Sequence, residues 1–425
     1  LIIGDKLDNS YEINNYFIDR MFEQLIINKE KIKDYIIDNK IDTFFVISGS
    51  FIELVSNNKN IFIYEEKNFD LAKKKFQDLS EQNSKSSIHW LKNESDNLKW
   101  YQSYGGVSEL FKFLSTDDKY TNVSEDDLLK QNDQNKITII SDLAGMGKST
   151  VLFYLSQKIK KSKPNVWIIR IILNQHIEKF KQRRLNQNKN SVINFLSNNL
   201  LGITKSIEKE IFDYKLNNGG IVLFLDGFDE ICPEYYDIMI DLLQELKKLS
   251  GVKFFITTRT NMKKTLEEKL GVLSYSLKPF SEENQVQFLT NYWKKELILD
   301  ELKYKTVLNK YAQTLISQFN ESIDEHNLKF TSNPLHIAMI AEIFKEKFDD
   351  FSNSSGENND IFLPKSKFHL VNLYEYFIEK KYLNYNNAKI AKKGEKFKFS
   401  YSFKKFIKSH DLVALNNILN EEKIY

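Results

Sequence analysis

The residues with the clearest chemical potential form a glycine-containing turn followed by a lysine and two hydroxyl residues. A β-branched run precedes this turn, and a segment with helical apolar spacing follows it. Glycines let successive backbone N–H groups point at an anion, and a helix start adds its positive dipole end. The turn therefore predicts a phosphate-binding loop, whose residues are Ala144, Gly145, Met146, Gly147, Lys148, Ser149 and Thr150.

Within this loop, two side chains have distinct predicted roles. Lys148 is placed to neutralise β- and γ-phosphates, and Ser149 is placed to ligate Mg²⁺. The general pattern G-x-x-x-x-G-K-[ST] puts its first glycine at the position of Asp142. Aspartate tolerates left-handed backbone better than most residues, so we expect the substitution to be tolerated. We also expect its carboxylate to weaken phosphate binding by repulsion.

A second group of acidic residues ends the apolar run from Ile221 to Leu225. A carboxylate at a strand end beside a phosphate loop can hold a metal-bound water, and a second one can activate the attacking water. We assign Asp226 to the metal, and Glu230 with Asp229 to the activation of water. The two motifs, in this order along the chain, predict a site that hydrolyses a nucleotide.

Together these motifs resemble the NACHT branch of the STAND nucleotide-switch ATPases, the group that contains animal NOD-like receptors. The resemblance covers about residues 130–345. The strand that ends at Arg259 is similar to the family's sensor strand, which implies that Arg259 senses the γ-phosphate. The stretch around Pro334 resembles the motif whose proline packs by the adenine. The family's winged-helix histidine has only candidates by region, His369 and His410.

The resemblance implies a switch that binds ATP or ADP with Mg²⁺, hydrolyses ATP slowly, and couples the nucleotide to the packing of its modules. It further implies an ATP form that assembles into homo-oligomers, with protein partners held through the N- or C-terminal modules, often in innate-immune or cell-death signalling. A scaffold that holds a nucleotide without hydrolysing it stays open as an alternative. A fast motor-like ATPase is less favoured, because we find neither an arginine finger nor a second sensor.

The elements that position these residues alternate between strand and helix from Lys136 onward, as a parallel sheet requires. The predicted strands are apolar almost throughout, which indicates burial on both faces. We therefore predict a doubly wound parallel α/β sheet with its ligand site beyond the carboxyl ends of the strands. The predicted strands are residues 137–140, 166–173, 221–225, 253–257 and 272–277.

The chain is long enough for several modules, and we predict four. Helical apolar spacing dominates residues 10–40, and residues 89–114 are predicted to be a connector that docks on the next domain. The modules are a small α/β or helical module without an assigned site (1–115), a P-loop NTPase core (116–280), a helical domain (281–350) and a winged-helix-like module (361–425).

Composition excludes several classes of protein. Hydrophobic residues make up 41% and charged residues 28% of the chain, as in a globular protein. The net charge of +3 gives no electrostatic indication of binding to nucleic acid or to an anionic membrane. Cys232 is the sole cysteine, which excludes an internal disulfide framework and favours a reducing, cytoplasmic compartment. No apolar run approaches the roughly 18 residues of a membrane span.

Overall fold

The computed structural model describes fourteen stretches of the chain, which fall into two compact units. The first unit contains residues 1–14 and 19–278, and the second contains residues 15–18 and 279–425. The described stretches are residues 2–4, 17–25, 27–28, 43–49, 61–66, 68–83, 86–94, 97–104, 120–186, 192–249, 251–297, 301–322, 330–348 and 373–381.

The first unit is built on two β-sheets. Its larger sheet has the strand order β1-β10-β11-β12-β9-β13-β2-β8, and its smaller sheet has the order β3-β7-β6-β4-β5. In chain order the strands are β1 (Ile2–Gly4), β2 (Phe22–Leu25), β3 (Ile27–Asn28), β4 (Thr43–Gly49), β5 (Ile61–Glu66), β6 (Ser87–Glu94), β7 (Asn97–Tyr104), β8 (Tyr120–Val123), β9 (Ile137–Ser141), β10 (Trp167–Ile172), β11 (Ile221–Asp226), β12 (Val252–Thr258) and β13 (Tyr275–Leu277).

Helices accompany both sheets. A π-helical segment, Phe195–Leu200, directly follows the short helix Val192–Asn194. The helices of the first unit are α1 (Phe69–Gln82), α2 (Glu125–Asn135), α3 (Lys148–Ser162), α4 (Ile177–Asn186), α5 (Val192–Asn194), α6 (Ser206–Asn218), α7 (Tyr236–Lys248) and α8 (Thr260–Leu270).

The larger sheet confirms the predicted α/β class. Strands β1, β10, β11, β12, β9 and β13 pair in parallel, whereas β2 and β8 add an antiparallel edge that the sequence analysis did not predict. Every residue of β9 and β11 is buried. Such strands fit only where helices cover both faces of the sheet.

Strand order brings the two predicted motifs to the same edge of the sheet. The phosphate loop follows β9 and the acidic residues follow β11, with β12 lying between these two strands. Because all three strands run in parallel, their carboxyl ends meet at that edge. This is where ligands bind in open α/β sheets.

The last predicted strand is shorter than expected. β13 begins at Tyr275 rather than at residue 272. The backbone N–H and the hydroxyl of Ser274 donate instead to the buried carboxylate of Glu267, at 2.8 and 2.7 Å. The carboxylate of Glu267 thus accepts the N–H hydrogen bond that a neighbouring strand would otherwise accept.

Two predictions for the first hundred residues are wrong. The helix predicted across residues 10–40 is replaced, where the chain is described, by β2 and β3. In β2 the side chains alternate, with Phe22 and Gln24 buried and Glu23 and Leu25 partly exposed, while Met21 of the predicted apolar stripe is 40% exposed. Residues 89–104 are not a connector, because they lie in the hairpin of β6 and β7.

The smaller sheet has a core of its own. Phe76 and Leu79 of α1 pack with Phe44, Val46 and the other buried side chains of this sheet. The sheet also contacts the rest of the unit through its hairpin, as predicted for this stretch. The N–H of Ser103 and the indole N–H of Trp100 both donate to the carbonyl of Gly271, at 2.7 and 3.3 Å.

The second unit is helical over its described residues. Its helices are α9 (Glu282–Glu296), α10 (Glu301–Ser322) and α11 (Pro334–Phe344), and residues 373–381 are also helical. Trp293, Tyr311 and Phe319 are fully buried in its core, which also includes Leu373. The predicted winged-helix-like module otherwise lies outside the described residues, as do His369 and His410.

None of the helices in the described stretches combines the length and apolarity that crossing a membrane would require. The predicted module boundary between residues 115 and 116 would cut through the larger sheet, because β1 and β2 precede it and β8 follows it.

Gly271 provides a test of the contact between the hairpin and the larger sheet. A Cβ at this position would lie 2.1 Å from the carbonyl oxygen of Ser103, and the backbone φ is +70°. We expect Gly271→Ala to lower the free energy of unfolding by about 1–2 kcal/mol for the left-handed backbone and by about 1–3 kcal/mol more for overpacking. Chemical denaturation measures the change.

Gly202→Ala is the matched control, since Gly202 has a φ of +68° and its added Cβ would meet nothing within 4 Å. The two variants share the backbone strain and differ in the steric contact. Equal losses of stability in both variants would show that the close contact between Gly271 and Ser103 adds no steric cost.

Candidate functional site

The predicted phosphate loop connects β9 to α3. The left-handed backbone that it needs occurs at Gly145, with a φ of +83°, and at Gly147, with a φ of +86°. Helix α3 begins at Lys148, and the N–H of Val151 donates to the carbonyl of Gly147 at 2.9 Å. The loop thus ends at a helix N-terminus, where the positive dipole end favours an anion.

The ammonium of Lys148 lies across this loop. It donates to the backbone carbonyls of Asp142 and Leu143, at 2.8 Å each. Burial lowers the pKa of Lys148, although the carboxylates of Asp142 and Asp229 act in the opposite direction. A partly buried ammonium held by neutral carbonyls has a strong attraction for a phosphate.

Asp142 has a structural role that differs from the expected one. Among the described non-glycine residues, only Lys136 has a positive φ, so Asp142 does not use the left-handed backbone. Its carboxylate accepts the backbone N–H groups of Leu143 and Leu277, at 2.7 Å each. The side chain therefore ties the start of the loop to β13. Burial raises the pKa of this carboxyl, and these two hydrogen bonds partly offset the rise.

Arg20 stabilises the phosphate loop by a hydrogen bond to its backbone, although no sequence motif indicated this arginine. Its guanidinium donates to the carbonyl of Met146 at 2.9 Å and to that of Lys278 at 2.8 Å. Its backbone N–H donates to the buried carboxylate of Glu125 at 2.8 Å. The arginine is only 4% exposed. Burial lowers the pKa of Arg20 to about 10, against the attraction of Asp142 and Glu125.

The two predicted motifs meet at the side chain of Asp226. The hydroxyl of Ser149 donates to Oδ1 of Asp226 at 3.0 Å, and the hydroxyl of Thr257 donates to the same oxygen at 2.6 Å. Thr257 also accepts the N–H of Gly227 at 2.9 Å. On the other side, Nη2 of Arg170 lies 3.6 Å from Oδ2 of Asp226. One carboxylate thus connects the loop helix with β10, β11 and β12.

Asp229 contacts the predicted sensor residue. Its Oδ1 accepts the backbone N–H of Arg259 at 3.0 Å, and its Oδ2 lies 3.0 Å from Nε of the same arginine. Asp229 is nearly buried, whereas the Arg259 side chain is 56% exposed. Arg259 follows β12 and is the N-cap residue of α8. Its guanidinium is therefore anchored at one side and open to solvent at the other.

Glu230 lies at the open side of this edge. Its carboxylate accepts a hydrogen bond from the amide of Asn174. Burial, followed by the negative charges of Asp229 and Asp226, raises the pKa of Glu230, while Arg259 and the Asn174 hydrogen bond act against the rise. Gly227 leaves space for this carboxylate, because a Cβ there would lie 3.0 Å from its carboxyl carbon.

The oxygen atoms at this edge fit a magnesium ion. Mg²⁺ prefers hard oxygen ligands and commonly takes only one or two carboxylates, completing its shell with water and phosphate. Ser149 and Asp226 offer a hydroxyl and a carboxylate that already touch each other. Among the described residues, no group of three or more His, Cys, Asp or Glu side chains forms a metal site. A hydroxyl and one carboxylate fit an ion that completes its shell with phosphate and water.

Pro334 lies in the second unit, at the first position of α11. Asn333 caps this helix by accepting the N–H of Leu335 at 2.9 Å. The ring of His336 stacks on Phe330, with centroids 4.2 Å apart. These contacts explain the proline as a helix-start residue. Its predicted contact with adenine stays a prediction.

Three supporting residues besides Arg20 were missed by the sequence analysis. Arg170 had a signal, because it is a single charge within the apolar run of β10 and needs a partner there. Thr257 also had one, as a hydroxyl near the carboxyl end of the buried strand β12. Asn174 and Arg20 had none, since each contacts a residue far away in the chain.

A loop and an acidic strand end that meet at one edge of a parallel sheet define a nucleotide-binding P-loop NTPase. Within that class, residues 137–296 match the family model of the NACHT domain. For these residues the match confirms the resemblance inferred from the sequence. A comparison with curated proteins gives no match.

Three solved structures show low similarity to the chain. A RuvB mutant from Thermotoga maritima has 8% identity and a TM-score of 0.28, with 58% of this chain and 61% of that chain covered. PCH-2 from C. elegans has 10% identity and a TM-score of 0.31, with 80% and 100% covered. The HORMA:CdnC:Trip13 complex from E. coli MS115-1 has 10% identity and a TM-score of 0.30, with 64% and 81% covered.

The contacts of Arg20 predict a double effect of its replacement. Arg20→Met keeps the side-chain length but leaves the carbonyls of Met146 and Lys278 without this donor. We expect a loss of about 3–5 kcal/mol in the free energy of unfolding, as for other broken buried charge contacts. We also expect nucleotide binding to weaken about tenfold, because the loop loses its support. Denaturation and nucleotide titration measure the two effects.

Lys130→Met serves as the control. Lys130 is exposed and pairs with Asp127 on the same helix, at 3.5 Å. Its loss should cost less than about 1 kcal/mol and leave nucleotide binding unchanged. An Arg20→Met variant with normal nucleotide affinity would refute the role of Arg20 in supporting the loop.

Proposed function

We propose that this chain is an ATP-binding switch that hydrolyses ATP slowly with Mg²⁺ and changes conformation with the bound nucleotide. The observation that carries the proposal is the hydrogen bond between Ser149 and Asp226, at 3.0 Å, within a NACHT domain. It joins the two motifs into one site of suitable chemistry. The loop backbone, the α3 N-terminus and Lys148 would hold the phosphates, with ATP and ADP as the ligands.

A bound Mg²⁺ would stabilise the negative charge that develops on the phosphate oxygens. Ser149 and Asp226 would supply protein ligands to it. Thr257 and Arg170 fix the orientation of the Asp226 carboxylate through their contacts with its two oxygens. Loss of an orienting contact of this kind typically costs about 10–100-fold in metal affinity or activity.

Glu230 is our candidate for the base that takes a proton from the attacking water. Its raised pKa makes it a better proton acceptor than an ordinary glutamate, and its exposed position gives water access. Asp229 is bound to Arg259 in two places, so it is better suited to position that arginine than to activate water. This division of roles refines the joint assignment made from the sequence.

Arg259 supports the switching part of the proposal. Its guanidinium is tied to Asp229 and half exposed, and its backbone connects β12 to α8. A γ-phosphate that attracts this guanidinium would compete with Asp229, whereas a diphosphate would not. The ligand would then favour one arrangement through its differential contacts. Pro334 is retained as the residue that packs by the adenine.

The wider role is proposed on the NACHT resemblance. We propose nucleotide-dependent homo-oligomers, protein partners bound through the flanking modules, and a place in innate-immune or cell-death-like signalling in the cytoplasm. The predicted helical domain (281–350) and winged-helix-like module (361–425) are retained in the same sense.

Turnover measurements test the enzymatic part. In Glu230→Gln, phosphate release should fall by about 100-fold or more while nucleotide still binds, because the base is lost. In Lys148→Ala, nucleotide affinity itself should fall by about tenfold or more, since a charge-assisted contact disappears. Glu234→Gln and Lys161→Ala, at exposed positions outside the site, are controls and should leave both quantities unchanged. Tightly bound nucleotide without any phosphate release in the wild type would favour the non-hydrolysing scaffold.

The pH dependence of turnover tests the role of Glu230. A base must be ionised, so activity should fall on the acid side as Glu230 takes up a proton, above the ordinary glutamate pKa because its pKa is raised. Asp229→Asn removes a charge that raises this pKa and should shift the acid limb to lower pH. Arg259→Gln removes a charge that lowers it and should shift the limb to higher pH. An acid limb that moves in neither variant would exclude Glu230 as the base.

A further inference from the structure

A second cavity lies in the first unit, at the opposite edge of the larger sheet from the nucleotide site. Its volume is about 570 Å³. It is bounded by α1, the β6–β7 hairpin, the C-terminal parts of α7 and α8, and the amino-terminal ends of β9 and β12. A volume of this size suits a small organic ligand. Because β9 carries the phosphate loop at its other end, the two sites do not overlap.

Lysines dominate the charge of this cavity. Five lysines line it, against two glutamates: Lys73, Lys136, Lys247, Lys248 and Lys269, with Glu81 and Glu268. Within the described stretches, the ammonium groups of Lys73, Lys136 and Lys269 form no ion pair. Lys248 is paired with Glu245 at 2.7 Å, and Lys247 donates to the carbonyl of Leu270 at 2.7 Å. The cavity therefore has a surplus of positive charge without protein partners.

The surroundings of two of these lysines lower their pKa values. Burial lowers the pKa of Lys247 to about 8. Burial also lowers the pKa of Lys136, and the positive charges of Lys73 and Lys253 lower it further. Like charges that are gathered and partly desolvated raise the free energy of the folded chain. An anion placed among them would remove that cost.

Apolar side chains supply the remainder of the wall. Trp90, Phe76 and Phe254 line the cavity and belong to the packed interior of the unit. Gln102 and Ser80 also line it. A wall with ammonium groups, hydrogen-bonding groups and aromatic rings suits a ligand that combines a negatively charged group with a carbon skeleton.

We propose that this cavity binds a small phosphorylated molecule at a site separate from the nucleotide site. The concave shape and the limited volume favour a small molecule over a nucleic acid or an acidic protein segment. Lys73 of α1 and Lys269 of α8 would contact the anion from opposite walls. Each carries its charge on a helix that the nucleotide site does not use for phosphate binding.

Titration calorimetry with inorganic tripolyphosphate tests the proposal on the full chain. The nucleotide site is first saturated with ADP and Mg²⁺, so that the probe meets only the second cavity. We expect tripolyphosphate to bind there with one equivalent. The double variant Lys73→Gln with Lys269→Gln should weaken this binding by about tenfold or more, because two charge-assisted contacts are lost.

The matched control is Lys74→Gln with Lys263→Gln, which removes the same charge from the same two helices at positions that do not line the cavity. It should bind tripolyphosphate like the wild type. Equal weakening in both double variants would reduce the effect to general surface charge and overturn the proposal. Absence of binding to the ADP-saturated wild type would overturn it as well.

The Lys148→Ala variant, titrated without ADP, separates the two sites further. Binding of tripolyphosphate that persists in this variant and still depends on Lys73 and Lys269 supports the second cavity. Binding that disappears with Lys148 belongs to the phosphate loop and contradicts the proposal. Circular dichroism of each variant confirms that a loss of binding is not a loss of fold.

Discussion

The site depends on one carboxylate that accepts hydrogen bonds from two different elements. Asp226 receives the hydroxyl of Ser149 from α3 and the hydroxyl of Thr257 from β12, and Arg170 of β10 lies beside its second oxygen. A buried carboxylate is costly unless it is compensated in this way. The same contacts that offset this cost also hold the loop helix and the three strand ends together.

Local patterns predicted the centre of the molecule well. The apolar runs that became β9, β11 and β12 are long enough to be recognised, and the glycines of the loop occur where the backbone needs a positive φ. The convergence of Ser149 and Asp226 also followed from sequence, because parallel strands place their carboxyl ends at one edge. These features need only short-range information and the order of the motifs.

Long-range pairing limited the prediction elsewhere. β2 joins the sheet through β13 and β8, which lie more than 90 positions away in the chain, so its own residues could not reveal the partner strands. Arg20 contacts a carbonyl 126 positions away, and a carbonyl leaves no trace in side-chain patterns. Asp142 was misread for the same reason, since its partner at Leu277 is a backbone N–H. Contacts with the main chain are thus the part of this site that a motif cannot encode.

The close approach at Gly271 has a mechanical consequence for the unit. This glycine ends α8, whose first residue follows Arg259, and its carbonyl holds Ser103 and Trp100 of the small sheet. A helix of this length is stiff, so a tilt at one end displaces the other. The small sheet and Arg259 therefore lie at opposite ends of one helix, so α8 bridges the small sheet and the nucleotide edge.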